Sequence, residues 1–293
     1  MAIITTDDKH YHAIADTIRE KAGTDKPYTP DEMPLGVAHA YSVGTADGYN
    51  VGMEDGIVQG KYVANQWWID LIKDKTDLNY FFKGGQFETL PEGLDFSHVT
   101  TMSQTFMGCS KIKQLPHINT TKCTNLPYVL SGVGSYSGTL MEEVSIDVRS
   151  AKETEQMASS ISARKLKLVG NLSTATSVAN IVAFSSIQEI RAYEDESMSV
   201  EIPLDLSNNT RTSAFSNASA IKYFRVAPGS IKVTQNIAKA NLLEDGTIQS
   251  IIDGLADLTG AAAQTLTLHA EVGANLTQAQ KDAVSAKNWT LVY

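Results

Sequence analysis

Residues 90–115 read Leu90-Pro-Glu-Gly-Leu-Asp-Phe-Ser-His-Val-Thr-Thr-Met-Ser-Gln-Thr-Phe-Met-Gly-Cys-Ser-Lys-Ile-Lys-Gln-Leu115, and their pattern returns downstream. The nearest echo is Leu204-Asp205-Leu206-Ser207, which repeats Leu94-Asp95-Phe96-Ser97. Phe215, Ile221 and Phe224 then repeat Phe106, Ile112 and Leu115 after a one-residue slip. Short apolar strands are expected around Leu90, Leu115, Ile146, Leu168, Ile190 and Phe224, at steps of 25, 31, 22, 22 and 34 residues. The two long steps carry visible insertions, the small polar run 131–138 and the acidic run Glu194-Asp195-Glu196. The beat continues to Leu268 and Leu291.

A period of roughly 20 to 29 residues is that of leucine-rich repeats, in which each unit gives one strand and one return segment. One unit cannot bury its apolar face alone, so neighbours must stack. The fold expected is α+β, a helical N-terminal module and stalk followed by a leucine-rich-repeat-like solenoid. Its segments are a helical module over 1–43, a glycine-laddered stalk with the solenoid cap over 44–85, and coils over 86–293.

The run Phe96-Ser-His-Val-Thr-Thr-Met-Ser-Gln-Thr-Phe-Met-Gly-Cys-Ser110 resembles the Thr-Ser-x-Val-Thr-x-Met-x-x-x-Phe-x-x-Cys coils of bacterial and bacteriophage leucine-rich-repeat proteins. Asn119-Thr-Thr-Lys-Cys-Thr-Asn-Leu-Pro-Tyr-Val-Leu130 is a looser copy, and residues 248–293 resemble the ending of tail or baseplate proteins from phages of Gram-positive hosts. Tyr11-His-Ala-Ile-Ala-Asp-Thr-Ile-Arg19 and Tyr28-Thr-Pro-Asp-Glu-Met-Pro34 resemble a module shared by phage structural proteins with different C-terminal parts. The resemblance implies a virion protein of the tail or baseplate. Its N-terminal module would attach to other virion proteins and its coils would bind a host-surface component. Two other readings are a capsid decoration or head-fibre protein and a cell-wall-degrading tail hydrolase.

Composition agrees with a soluble binding protein. The chain has 293 residues, of which 42% are hydrophobic, and a formal charge of −9. That balance argues against a nucleic-acid partner, which favours basic stripes. No apolar run approaches the roughly 18 residues of a membrane span. The start, Met-Ala-Ile-Ile-Thr-Thr-Asp-Asp, lacks the basic and apolar regions of a secretory signal, so assembly in the host cytoplasm is expected.

Upstream of the coils, Tyr11, Ile14, Ala15 and Ile18 share one face of a helix expected over 8–21. A second helix is announced by Thr29-Pro30-Asp31-Glu32. Gly36, Ala40, Gly44, Gly48, Gly52, Gly56 and Gly60 then recur every four positions. Each glycine inside a helix costs about 1 kcal/mol against alanine. Close packing with another helix offsets such a cost, so Gly44, Gly48, Gly52, Gly56 and Gly60 are expected at an oligomer axis, as a homotrimer. Val63, Trp67 and Leu71 mark a further amphipathic helix over 61–75, with Tyr80-Phe81-Phe82 after it. Helices over 247–258 and 276–287, the latter capped near Thr277, and strands over 265–268 and 289–292 are expected to close the chain.

Paired carboxylates, Glu92 with Asp95, Glu142 with Glu143, and Glu194-Asp195-Glu196, have the chemistry of a glycosidase or a calcium site but are read as solvated loops on an acidic chain. No nucleophile elbow, zinc-binding helix, phosphate loop or dinucleotide fingerprint occurs, and Gly134-Ser-Tyr-Ser-Gly138 has Tyr136 where an elbow needs serine. His10-x-His12 has suggestive spacing for a metal, but two such residues diverge on a helix. Trp67, Trp68 and Tyr80 are read as packing residues rather than a sugar platform. No enzyme, cofactor or metal is expected. Cys109 and Cys123 lack metal spacing and are expected as buried thiols, with Cys123 stacked over Val99. Insertions in repeat proteins fall on one face, often the binding face. Tyr136, Ser137, Glu194, Asp195 and Glu196 are therefore the expected host-surface contacts, with a neutral or cationic cell-surface glycan as the ligand.

Overall fold

A computed structural model describes residues 68–91 and 93–293 of the chain. The two helices expected near the N-terminus, the glycine series Gly36 to Gly60, His10, His12 and Trp67 lie outside the described residues. The chain divides into two compact units. Of the first, Met1–Lys73 with Pro91–Leu94, the described part includes a helical turn through Ile72, on which the Lys73 N–H donates to the Ile69 carbonyl at 3.0 Å.

The second unit, Asp74–Leu90 with Asp95–Tyr293, is an α/β arrangement with two sheets and few helices. Strands β1 (Met141–Asp147), β2 (Ala163–Val169), β3 (Glu189–Tyr193) and β4 (Glu201–Ile202) form one mixed sheet in that order. β1, β2 and β3 pair in parallel, and β4 turns back antiparallel on β3. Because the strands are parallel, the class is α/β rather than the expected α+β. Side chains alternate across a strand. Val144 and Ile146 of β1 and Leu166 and Leu168 of β2 are buried, whereas Glu143, Ser145, Lys165 and Lys167 are not.

Ile146 lies opposite Leu168, as the 22-residue step predicts. The next step is different, because Ile190 lies opposite Leu166 and Ala192 opposite Leu168. A two-residue shift keeps every side chain on its face, so the apolar beat alone does not detect it. Leu90, Leu115 and Phe224 were expected in strands, but their neighbours make single parallel bridges, Thr89 to Gln114 and Tyr223 to Glu189. The second sheet joins β5 (Gln235–Asn236), β6 (Gln264–Thr267) and β7 (Trp289–Val292), all parallel.

A longer ladder runs beside the strands. Asp77, Thr101, Asn125, Glu153 and Ser177 bridge in parallel, each to the next. Along each rung the chain takes a left-handed backbone twice, four residues apart. The pairs are Tyr80 and Gly84, Gln104 and Gly108, Tyr128 and Gly132, Gln156 and Ser160, Asn180 and Phe184, and Ser213 and Asn217. Each first member donates its N–H to the next rung, as Tyr80 does to the Ser103 carbonyl at 2.9 Å and Tyr128 to that of Glu155 at 3.0 Å. Two residues beyond it stand Phe82, Phe106, Leu130, Ala158, Val182 and Phe215, all buried. Phe106 and Phe215 thus hold equivalent places, and the rings of Phe82 and Phe106 stack at 5.3 Å.

Each of these rungs from the second onward opens on an Asx turn, in which a short side chain accepts its own backbone N–H two residues on. Ser97 N–H donates to Asp95 at 2.8 Å and Ser207 N–H to Asp205 at 2.9 Å, so the two echoing sequences fold alike. Asn119, Asp147 and Asn171 serve the rungs between. The slip also has a place: Asp95 lies nine residues before left-handed Gln104, but Asp205 lies eight before Ser213.

Three helices follow among the described residues. α1 (Asp245–Gly254) stops earlier than expected, and Leu255 bridges to Ile231. A Cβ on Gly254 would stand 2.9 Å from Val226, so the chain passes close to its neighbour there. α2 (Ala270–Ala274) was not anticipated. α3 (Gln278–Ala286) is held by a capping box in which Thr277 accepts from the Gln280 N–H and Gln280 accepts from that of Thr277.

Both cysteines are buried free thiols. Cys109 donates to the Phe82 carbonyl at 2.9 Å and Cys123 to that of Asn125 at 3.4 Å. Burial pushes the Cys109 thiol up to about 12 and that of Cys123 up to about 11, against backbone hydrogen bonds that pull both down. Thiolate is the reactive form. Neither thiol should react with a disulfide reagent at neutral pH until the chain is unfolded, when both should, and rapid labelling of the native protein would contradict the burial.

Candidate functional site

The Tyr136 loop is built from its own backbone. Gly132, Gly134 and Gly138 take positive φ, and a side chain on Gly134 would meet the Ile112 carbonyl oxygen at 2.9 Å. Ser137 Oγ donates to the carbonyls of Gly134 at 2.8 Å and Thr139 at 2.9 Å, and Tyr136 N–H donates to that of Ser110 at 2.9 Å. These bonds leave the Tyr136 side chain 85% exposed, so a fixed loop presents an unburied ring. Ser137, by contrast, spends its hydroxyl on the loop itself.

The acidic loop is the turn between β3 and β4. Asp195 accepts the Ser197 N–H at 3.1 Å and its hydroxyl at 3.0 Å, and these bonds hold its carboxyl below the usual range. Lys167 Nζ donates to the Glu196 carbonyl at 2.8 Å and lies 5.3 Å from the centre of the Tyr193 ring. His117 Nε2 is 3.7 Å from the Glu196 carboxylate, and its Nδ1 pairs with Ser145 Oγ at 2.8 Å. Glu194 makes none of these bonds. The Tyr136 loop is tied to Ser110 and the acidic loop to His117 and Lys167, so the two expected contact sets share none of these partners.

Burial holds the His117 imidazole below its ordinary value, while Glu196 and Asp147 pull it up and Lys167 and Arg149 oppose them. A depressed folded-state value favours the neutral ring. Its contribution to stability is complete above the unfolded value near 6.5 and is lost as pH falls through and below it. Lowering pH from about 7 to about 5 should therefore weaken the fold more in the native protein than in His117→Gln. An equal loss of unfolding free energy between the two pH values in the native protein and in His117→Gln, read from urea titrations, would exclude His117 as the source.

A charged network beside this loop left no sign in the sequence. Arg191 donates to Glu189 at 2.7 Å and to Glu201 at 2.9 Å, and its guanidinium lies 4.4 Å from the centre of the Tyr223 ring. The Tyr223 hydroxyl donates to the same Glu201 carboxylate at 3.0 Å, and burial followed by that carboxylate pushes the phenol upward. Both carboxylates here face a donor, so the network clamps β4 onto β3. Its signal was invisible because Glu189 and Tyr223 are brought together only by the bridge between rungs.

Among the described residues, no group of three or more His, Cys, Asp or Glu side chains is placed to hold a metal ion. No helix among them is long and apolar enough to cross a membrane. Trp68 is buried and Tyr80 is 55% exposed. No family model, curated protein or solved structure matches the chain.

Proposed function

We propose that this chain is a structural protein of a bacteriophage tail or baseplate whose repeating part binds a host-surface component. The observation that carries the reading is the coil sequence at 96–110 together with its regular return as a rung. Asx turn, left-handed pair and buried residue recur from Asp95 to Asn217 in one order, with a bridge residue in each rung as far as Ser177. A leucine-rich-repeat-like solenoid built of such rungs would display its turns as one continuous surface, which supports the reading. Closed ion pairs and buried thiols fit binding better than catalysis. The resemblance of residues 11–34 to a phage attachment module supplies the link to other virion proteins. Gold-labelled antibody against the chain should decorate the tail end of purified virions in electron micrographs. Decoration of the capsid alone would replace the tail with a head-fibre role, and unlabelled virions would end the virion reading.

The same reading makes the N-terminal 75 residues the oligomerisation element. Light scattering should give three times the chain mass, and Gly48→Leu with Gly52→Leu should lower it. A monomeric native protein would remove the oligomer axis.

A further inference from the structure

We infer that the first left-handed row of the ladder, Tyr80, Gln104, Tyr128 and Gln156, with Phe184 at its edge, is a binding track for an extended, neutral polysaccharide. The inference rests on the reading of the protein as one that binds a host surface, but places the contact away from the acidic loop.

Backbone conformation is the first ground. A left-handed backbone suits glycine and strains a bulky side chain. The second row obeys this rule at Gly84, Gly108 and Gly132, then places Ser160, Phe184 and Asn217 there, of which Phe184 alone is bulky. Tyr80 and Tyr128 break it in the first row. Burial does not compensate at Phe184 and Tyr80, which are 70% and 55% exposed, and Tyr128 is half-buried. Strained residues that the core does not need point to a surface role.

Chemistry is the second ground. Neighbouring rungs of a parallel ladder stand about 4.8 Å apart, so the row offers ring, amide, ring, amide along one line. Gln156 Nε2 donates to the Tyr128 hydroxyl at 2.9 Å. Gln104 lies along Tyr80 in the same way, with Nε2 at 3.5 Å from the hydroxyl, and Lys83 Nζ donates to its Oε1 at 2.7 Å. Lys83 also lies 5.2 Å from the centre of the Tyr80 ring. These bonds fix the rings in place before any ligand arrives, which lowers the ordering cost of binding. A sugar ring has an apolar face for a tyrosine and hydroxyl edges for an amide. A repeat every rung suits a polymer, because successive units then bind at high effective concentration. Lys83, held by the Gln104 amide and the Tyr80 ring, is the charged side chain these bonds involve, and the rings and amides themselves carry no charge, which favours a neutral chain.

The test is affinity electrophoresis of the full chain in gels holding a β-glucan, an α-mannan, a galactan or a rhamnan. At least one polymer should retard the native protein, and its monosaccharide should compete poorly. Tyr80→Asn and Tyr128→Asn should each weaken retardation about tenfold, the scale of one aromatic contact. Phe184→Gly should weaken it as well while leaving the melting temperature unchanged or higher, because glycine relieves the left-handed strain. Retardation by none of the polymers, or equal retardation of native protein and variants, would overturn the track. Ring-dependent retardation with unlabelled virions would keep the track and remove the virion reading. Labelled virions without retardation would do the reverse.

Discussion

Truncating Phe106 or Phe215 to alanine will lower stability by about 3 to 5 kcal/mol, the cost of removing a large aromatic from a packed core. Both rings are fully buried. Phe106 lies flat against Phe82 and edge-on to Phe96 at 5.9 Å, and Phe215 stacks on Phe224 at 4.3 Å. What raises the cost is that the site has little room to collapse. Phe106 N–H donates to the Val129 carbonyl at 3.0 Å, and Phe82 N–H donates to that of Thr105 at 3.0 Å, so the backbone is pinned on both sides of the lost ring. Phe215 has the smaller Val182 in the preceding rung, and its variant should fall at the lower end of the range. Urea unfolding of each variant measures the loss. Values under about 1 kcal/mol at both positions would mean that the two rings are not equivalent core members.

That equivalence was legible in the sequence because it rests on apolar side chains and on Leu204-Asp205-Leu206-Ser207, whose Asx turn repeats that of Asp95. The closing strands were legible for the same reason, since Thr265 to Leu268 and Trp289 to Val292 alternate and follow helical patterns. The remainder of the ladder was harder to read. Its left-handed positions hold Tyr80, Gln104, Tyr128, Gln156 and Phe184, none of which advertises a positive φ as glycine does. A denser reading of Asp or Asn followed two residues later by Ser or Thr would have found Asn119 and Asn171 and so fixed the middle rungs. The register of β3 was out of reach, because shifts of two residues leave the apolar faces unchanged. Of the candidate contacts, Tyr136 has the exposure its sequence suggested, whereas Glu196 is engaged with His117 in a way no spacing rule foretells.

Replacing Gly170 by alanine should cost about 2 to 6 kcal/mol, from two penalties that act together. The first is conformational. Gly170 has φ of +102°, outside the small left-handed region open to other residues, and its N–H donates to the Tyr193 carbonyl at 2.7 Å, so the rung cannot rotate away without losing that bond. The second is steric. A Cβ at this position would stand 2.8 Å from the Arg149 backbone nitrogen and 3.0 Å from its Cα, and backbone does not yield as a side-chain tip does. Arg149 is also held in place, since its N–H and guanidinium both donate to the buried Asp147 carboxylate. Gly138 supplies the control. Its φ is +69° but nothing lies within 4 Å of an added Cβ, so Gly138→Ala meets backbone strain alone, about 1 to 2 kcal/mol. Thermal unfolding of the two variants separates the penalties, and equal losses would show that the contact between Gly170 and Arg149 is not tight. A larger loss at Gly170 would place the stability of the β1 to β3 rungs in the close approach of backbone to backbone, a spacing that no apolar residue in this region could have revealed.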